Sequence, residues 1–134
     1  MLTYGDGVCD VDIKELLKFH KKHKKIATMT AIQPGGKFGA LSISKKNEIT
    51  SFAEKSKEDG GWINGGYMVL EPKVFDYIKE DMVFFERDPL ENLAKDGELM
   101  AYKHDGFWQC MDTLKDKNYL EDLLRNNNAP WVKW

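Results

Sequence analysis

An α/β fold is predicted by three features of the sequence. Apolar, β-forming stretches at residues 1–4 and 26–32 flank a capped segment with helical spacing, which makes a βαβ-like unit. Alternating short strands across residues 39–54 read as a small β-hairpin subregion with one wet face. A proline-led helix from Asp88 to a stop at Gly97 then precedes another strand at 99–103 and a last helix after Thr113.

Each element has its own signals. Residues 1–4 read as the end of a buried strand, and Gly5-Asp6-Gly7 as a sharp turn that leaves one carboxylate at the strand's C-terminal edge, where open α/β sheets bind ligands. Asp10 is the expected N-cap of the first helix. Asp12 and Glu15 lie early in it, and Ile13, Leu16, Leu17 and His20 form its inward face. Its tail carries Lys18, Lys21, Lys22, Lys24 and Lys25, where cations meet the negative end of the helix dipole, so a solvated helix end accounts for them. Pro34-Gly35-Gly36 ends the second strand. Lys45-Lys46-Asn47-Glu48 is the hairpin turn, and a Gly-rich stretch from Gly60 to Gly66 leads into a strand at 67–70. Pro72 starts a short helix carrying Val74, Phe75 and Ile78. Asp88 caps a helix with Pro89 at its first position and Glu91 at N3. Residues 105–108 read as a loop, and Tyr119, Leu120, Leu123 and Leu124 mark the final helix.

Composition narrows the function. The 134 residues suit a single domain. Twenty Lys and Arg against 22 Asp and Glu give a net charge of -2, which supplies no basic field and argues against nucleic-acid binding. No apolar run approaches the ~20 residues of a membrane span, and no basic region precedes an apolar stretch at the start, so a cytoplasmic protein without membrane contact is expected. Cys9 and Cys110 lack a CxxC pattern, which argues against a zinc site or a disulfide framework and leaves free thiols.

Three acid-bearing turns are candidates for chemistry: Gly5-Asp6-Gly7, Glu54-Lys55 and Met111-Asp112-Thr113. Asp6 and Asp112, brought together from distant strand ends, suit a hard divalent ion, because Mg2+ takes one or two carboxylates and keeps several waters. Spacing alone leaves the plainer readings open: an Asp in a Gly-flanked turn serves turn chemistry, and an Asp before Thr serves as a helix cap. Asn64-Gly65-Gly66 allows close backbone approach by a ligand and equally makes a routine turn. His20 and His23 lack a third metal ligand, and His104 reads as a surface strand end that could touch a substrate.

Taken in order, five strings resemble the sugar-1-phosphate nucleotidylyltransferases over nearly the whole chain. They are Leu2-Thr3-Tyr4-Gly5-Asp6-Gly7-Val8, Pro34-Gly35-Gly36-Lys37-Phe38-Gly39-Ala40-Leu41, Phe52-Ala53-Glu54-Lys55, Gly60-Gly61-Trp62-Ile63-Asn64-Gly65-Gly66-Tyr67 and Gly106-Phe107-Trp108-Gln109-Cys110-Met111-Asp112-Thr113. The fourth and fifth favour the cytidylyl branch, whose reaction joins CTP and glucose 1-phosphate into CDP-glucose. The resemblance implies a Rossmann-like nucleotidyltransferase sheet, of which residues 1–134 are the C-terminal portion: a single partial domain lacking the N-terminal nucleotide-binding loop.

It also implies roles. Asp6 and Asp112 would ligate Mg2+, and with Lys55 they would be the catalytic residues. Glu54 would accept hydrogen bonds from glucose hydroxyls, and Lys55 would hold the sugar phosphate. Gly39, Asn64 and Gly65 would line the sugar pocket, and Gly5 would let the backbone approach the nucleotide. The family's Gly-rich loop, with its Arg and downstream Lys, has no counterpart in this sequence. CTP is therefore expected as a partner only when the N-terminal half is supplied, and the isolated chain is expected to be inactive. A non-catalytic structural or sugar-phosphate-binding module of the same fold is the alternative. Removal of the first strands of a parallel sheet is expected to leave an open edge and drive self-association. Cys9 and Cys110 are expected to be packing residues, since Mg2+ disfavours thiolate.

Overall fold

The computed structural model describes residues 1–33, 40–53, 61–81 and 83–133. Its centre is a four-stranded sheet made of β1 (Leu2–Thr3), β3 (Ala27–Ile32), β6 (Ile63–Leu70) and β7 (Leu99–Lys103), in the order β1-β6-β3-β7. The sheet is mixed: β6 runs antiparallel to both β1 and β3, and β3 pairs parallel with β7. The expected parallel sheet is thus corrected, because β6 inserts between the two strands of the βαβ-like unit. Two short antiparallel ribbons complete the strands, β2 (Gly7–Cys9) with β8 (Trp108–Cys110) and β4 (Ala40–Ile43) with β5 (Ile49–Ala53).

Strand β3 is buried at all six positions, which fits a sequence of Ala, Met and Ile with two threonines and no charge. Ala27, Met29 and Ala31 enter a core with Met68, Leu41 and Ile49, and with Leu90 and Leu93 of α2 (Asp88–Lys95). On the opposite face, Thr28 meets α1 (Ile13–His23) through His20. Helix on one side and helix plus hairpin on the other give the layered arrangement expected of an α/β domain.

The helix ends follow local chemistry. Asp12, not Asp10, caps α1, accepting from the Lys14 and Glu15 amides at 2.8 and 3.1 Å. Ile13 is 42% exposed, so the inward face begins at Leu16. Helix α2 begins at Asp88 with Pro89 in its first turn, and no side chain caps it. It ends in a Schellman motif, in which the Gly97 amide bonds the Ala94 carbonyl and the Glu98 amide bonds that of Leu93. Gly97 holds φ +69°, the left-handed region that glycine enters without cost. Helix α3 (Leu114–Arg125) opens with a capping box between Thr113 and Asp116. Of its apolar residues Leu120 is buried, whereas Tyr119 and Leu124 are about half exposed.

Other expectations shift. Residues 1–4 are no buried strand: β1 is a two-residue edge strand with Met1 64% exposed. The strand expected from Tyr67 starts at Ile63, because the glycines are absorbed in a bulge. Residues 72–77 form a 3-10 turn that buries Val74 and exposes Phe75 and Ile78. Trp108 begins β8 instead of lying in a loop. The hairpin is found as expected, with Leu41 opposite Phe52 and Asn47 at φ 64° in its turn. The Pro34-Gly35-Gly36 loop lies outside the described residues. Among the described residues no helix is long and apolar enough to cross a membrane.

A polar relay joins α1 to the sheet. The Lys25 amide donates to His23 Nδ1, so the neutral ring carries its proton on Nε2 and donates to Thr28 Oγ1 at 2.6 Å. The threonine hydroxyl then donates to His20 Nδ1 at 2.8 Å, and His20 Nε2 donates to Glu71 at 3.1 Å. Burial first, and then the neighbouring His20, push the His23 pKa down to about 4. The unfolded chain takes up this proton near pH 6.5 and the folded one near 4. The group's contribution to stability is therefore full above about 6.5 and is lost as pH falls through that window. Thermal melts are expected to show a shallower decline between pH 6.5 and 4 in His23→Gln than in wild type, and parallel curves would refute the assignment.

A candidate nucleotidyl-transfer site

The site is built where β1, the bulge of β6 and the β2–β8 ribbon meet. Across the bulge, Met29 pairs with Met68 and Ala31 with Asn64, so β6 carries extra residues there. Gly66 adopts φ +77°, and a Cβ on it would stand 2.9 Å from Tyr4 Cδ2. A Cβ on Gly65 would stand 3.1 Å from the Thr30 carbonyl oxygen. The two glycines are thus required by backbone conformation and by close packing.

Side chains hold the bulge in place. Asn64 Oδ1 accepts from the Gly66 amide and Nδ2 donates to the Tyr4 hydroxyl, each at 2.8 Å. Trp108 Nε1 donates to the Gly65 carbonyl at 2.8 Å, and the Tyr67 hydroxyl donates to that of Gly7 at 3.0 Å. Burial, followed by the hydrogen bond and charge of Glu86, raises the Tyr4 phenol pKa, so Tyr4 is a neutral hydrogen-bonding wall.

The ribbon brings the two acid turns together. Gly7 lies opposite Cys110, and the Met111 amide donates to the Asp6 carbonyl at 2.7 Å. Asp6 and Asp112 line one cleft of about 250 Å3 with Tyr4, Asn64, Gly65 and Trp108. Both acids are exposed. Thr113 and Asp116 perform the helix capping, which leaves Asp112 free of that duty, and its Oδ2 accepts from the Cys110 thiol at 3.2 Å. That thiol is pushed up to about 12 by burial first and then by Asp112, so it remains protonated. The hard-oxygen donor set fits Mg2+, which needs few carboxylates and retains water, and the neutral thiol adds no competing soft ligand.

Of the residues named from the sequence, Asp6, Asn64, Gly65 and Asp112 share this cleft. Gly5 stands beside it in the turn between β1 and β2, where a Cβ would meet no atom within 4 Å. Gly39, Glu54 and Lys55 lie outside the described residues. The side-chain amide of Asn64 turns to Tyr4 and Gly66, so its evident work is to shape the wall. Sequence reasoning missed Tyr4, Tyr67, Trp108 and Glu86 as wall residues. Tyr4, Tyr67 and Trp108 stood inside the quoted strings, but Glu86 had no signal, because it reaches the cleft only through the fold.

Comparison with known proteins identifies the family. The family described as Nucleotidyl transferase matches residues 1–122. Glucose-1-phosphate cytidylyltransferases of Salmonella typhimurium and Salmonella typhi are each 54% identical over 134 residues, covering all of this chain and 52% of theirs. A crystal structure of HddC from Yersinia pseudotuberculosis shares the fold with a TM-score of 0.70 at 22% identity, over 86% of this chain and 50% of that one. The chain spans about half the length of the curated relatives it matches. With its mixed α/β sheet and a family match over residues 1–122, the chain belongs to the nucleotidyl transferase family.

Proposed function

We propose that this chain carries the sugar-phosphate and Mg2+ groups of an enzyme that makes CDP-glucose from CTP and glucose 1-phosphate. The observation that carries the reading is the convergence of Asp6 and Asp112 on one cleft through the β2–β8 ribbon, and the 54% identity to glucose-1-phosphate cytidylyltransferases supports it. In that reaction a sugar-phosphate oxygen bonds to the α-phosphorus of CTP as the bond to pyrophosphate breaks. Two phosphate charges at ~4 Å repel by about 4 kcal/mol at an effective dielectric near 20, so the site must neutralise charge before the oxygen can approach. Mg2+, when bound, supplies that neutralisation and stabilises the departing pyrophosphate.

The chain's own groups do the rest. Asp6 and Asp112 would hold the cation, and Lys55 would bind the sugar phosphate as a point charge. Glu54 accepts from sugar hydroxyls. Gly65 and Gly66 keep the wall thin, with Tyr4 and Trp108 closing it. Catalysis by such a site is positioning and electrostatics with no covalent intermediate.

In this reading the triphosphate is held by groups other than those that line the cleft. Calorimetric titration of the chain with glucose 1-phosphate is expected to show binding that Lys55→Ala removes. A flat wild-type titration would favour the non-catalytic structural module. With CTP, glucose 1-phosphate and Mg2+, the chain alone is expected to make no more CDP-glucose than Asp6→Ala.

A further inference from the structure

A second cluster of metal-ligating side chains lies outside the cleft. Cys9 ends β2, Asp10 follows it, and His104 follows β7. Their ligand atoms all lie within 4.8 Å of one another. The backbone sets them firmly: Cys9 pairs with Trp108, the Asp10 amide donates to the Phe107 carbonyl at 3.1 Å, and the His104 amide to that of Ala31 at 2.9 Å.

Two observations mark this cluster as more than a structural Asp–His pair. His104 Nε2 lies 2.9 Å from Asp10 Oδ1 and 3.3 Å from the Phe107 carbonyl oxygen, so one ring nitrogen faces two oxygens. Asp10 Oδ1 is sealed from solvent, so its polar environment is set by the cluster, with His104 Nε2 at 2.9 Å. Gly106 makes room for the convergence, since a Cβ there would stand 2.3 Å from Asp10 Oδ1 and 2.6 Å from His104 Cε1. Lys133 Nζ sits 3.8 Å from the other oxygen, Oδ2, and leaves Oδ1 to the cluster. Cys9 and Asp10 also border a cavity of about 760 Å3, which gives an ion a way in.

We propose that Cys9 Sγ, Asp10 Oδ1 and His104 Nε2 form a binding site for a zinc-class divalent cation. A thiolate and a carboxylate balance the two positive charges, the imidazole binds as a neutral ligand once the proton that Nε2 directs at the Phe107 carbonyl has moved to Nδ1, and the Cys9 proton passes to solvent on binding. Sulfur and nitrogen ligands select zinc over Mg2+, and three protein ligands leave a fourth position for water from the cavity. The bound ion clamps the β2–β8 ribbon to the end of β7, bracing the strands that carry Asp6 and Asp112. The site is independent of the proposed sugar-nucleotide chemistry.

The metal-free full chain is expected to bind about one Co2+ ion with thiolate-to-cobalt charge-transfer absorption, which Zn2+ then abolishes by displacement. Cys9→Ser should remove the band, Cys110→Ser should retain it, and His104→Gln should weaken Co2+ binding at least roughly tenfold. Zn2+ should also shield Cys9, and not Cys110, from alkylation in the wild-type chain, a readout that needs no variant to fold. The proposal is overturned by absence of the band at saturating Co2+, by a band that survives Cys9→Ser, or by Cys9 alkylation indifferent to Zn2+.

Discussion

Leu90→Ala is expected to remove about 2–5 kcal/mol of stability, the cost of a large-to-small change at a site that cannot collapse. Leu90 is 0% exposed and sits in the cluster joining α2 to Met29, Leu99 and Met68 of the central sheet. The sheet backbone is fixed by hydrogen bonds on both sides of β3, so it cannot move in to fill the space. A domain of this size has about 5–15 kcal/mol in total, so the loss is a large share of it. At about 3–4 °C per kcal/mol the melting temperature should fall by roughly 6–20 °C. A fall under about 3 °C would mean that α2 is not packed as described.

Gly66→Ala should produce the second largest effect, about 2–3 kcal/mol, from strain and collision together. Gly97 provides the control. It has a similar φ of +69°, but a Cβ there meets nothing within 4 Å, whereas at Gly66 it meets Tyr4 at 2.9 Å. Gly97→Ala should therefore cost only the left-handed penalty of about 1 kcal/mol. The excess at Gly66 measures the Tyr4 contact and should be accompanied by loss of the Asn64–Tyr4 hydrogen bond, visible as a shift of the Asn64 side-chain amide resonance. Equal losses at the two glycines would show that Tyr4 does not press on the bulge.

The elements with strong local chemistry were legible in the sequence. Gly97 stopped α2, Asn47 turned the hairpin, and β3 announced itself through a run of β-forming residues without a charge. What was not legible depended on distant pairing. Asp10 had the spacing of an N-cap, yet Asp12 took that role while Asp10 turned towards His104, a partner on the far side of the sheet's sequence. Asn64-Gly65-Gly66 read as a turn because nothing local says that a strand can carry a glycine bulge. The parallel sheet failed for the same reason: the placement of β6 beside β1 is decided by long-range hydrogen bonds. At the candidate site, the acid turns were visible, but Glu86 and the engagement of Asn64 with Tyr4 required the fold.

The β2–β8 ribbon has three residue pairs and is hydrogen-bonded as its own sheet, apart from the four strands that hold the main core. A ribbon of this size is expected to exchange its amide protons faster than the central sheet, which hydrogen-exchange measurements would check. Asp6 and Asp112 flank its two strands, and the Tyr67–Gly7 and Trp108–Gly65 hydrogen bonds tie those strands to β6, so the placing of the two acids depends on the joint between ribbon and sheet. Under the proposed function, a cation held by the two acids would favour the joined ribbon, and its apparent affinity would be scaled by the joined fraction.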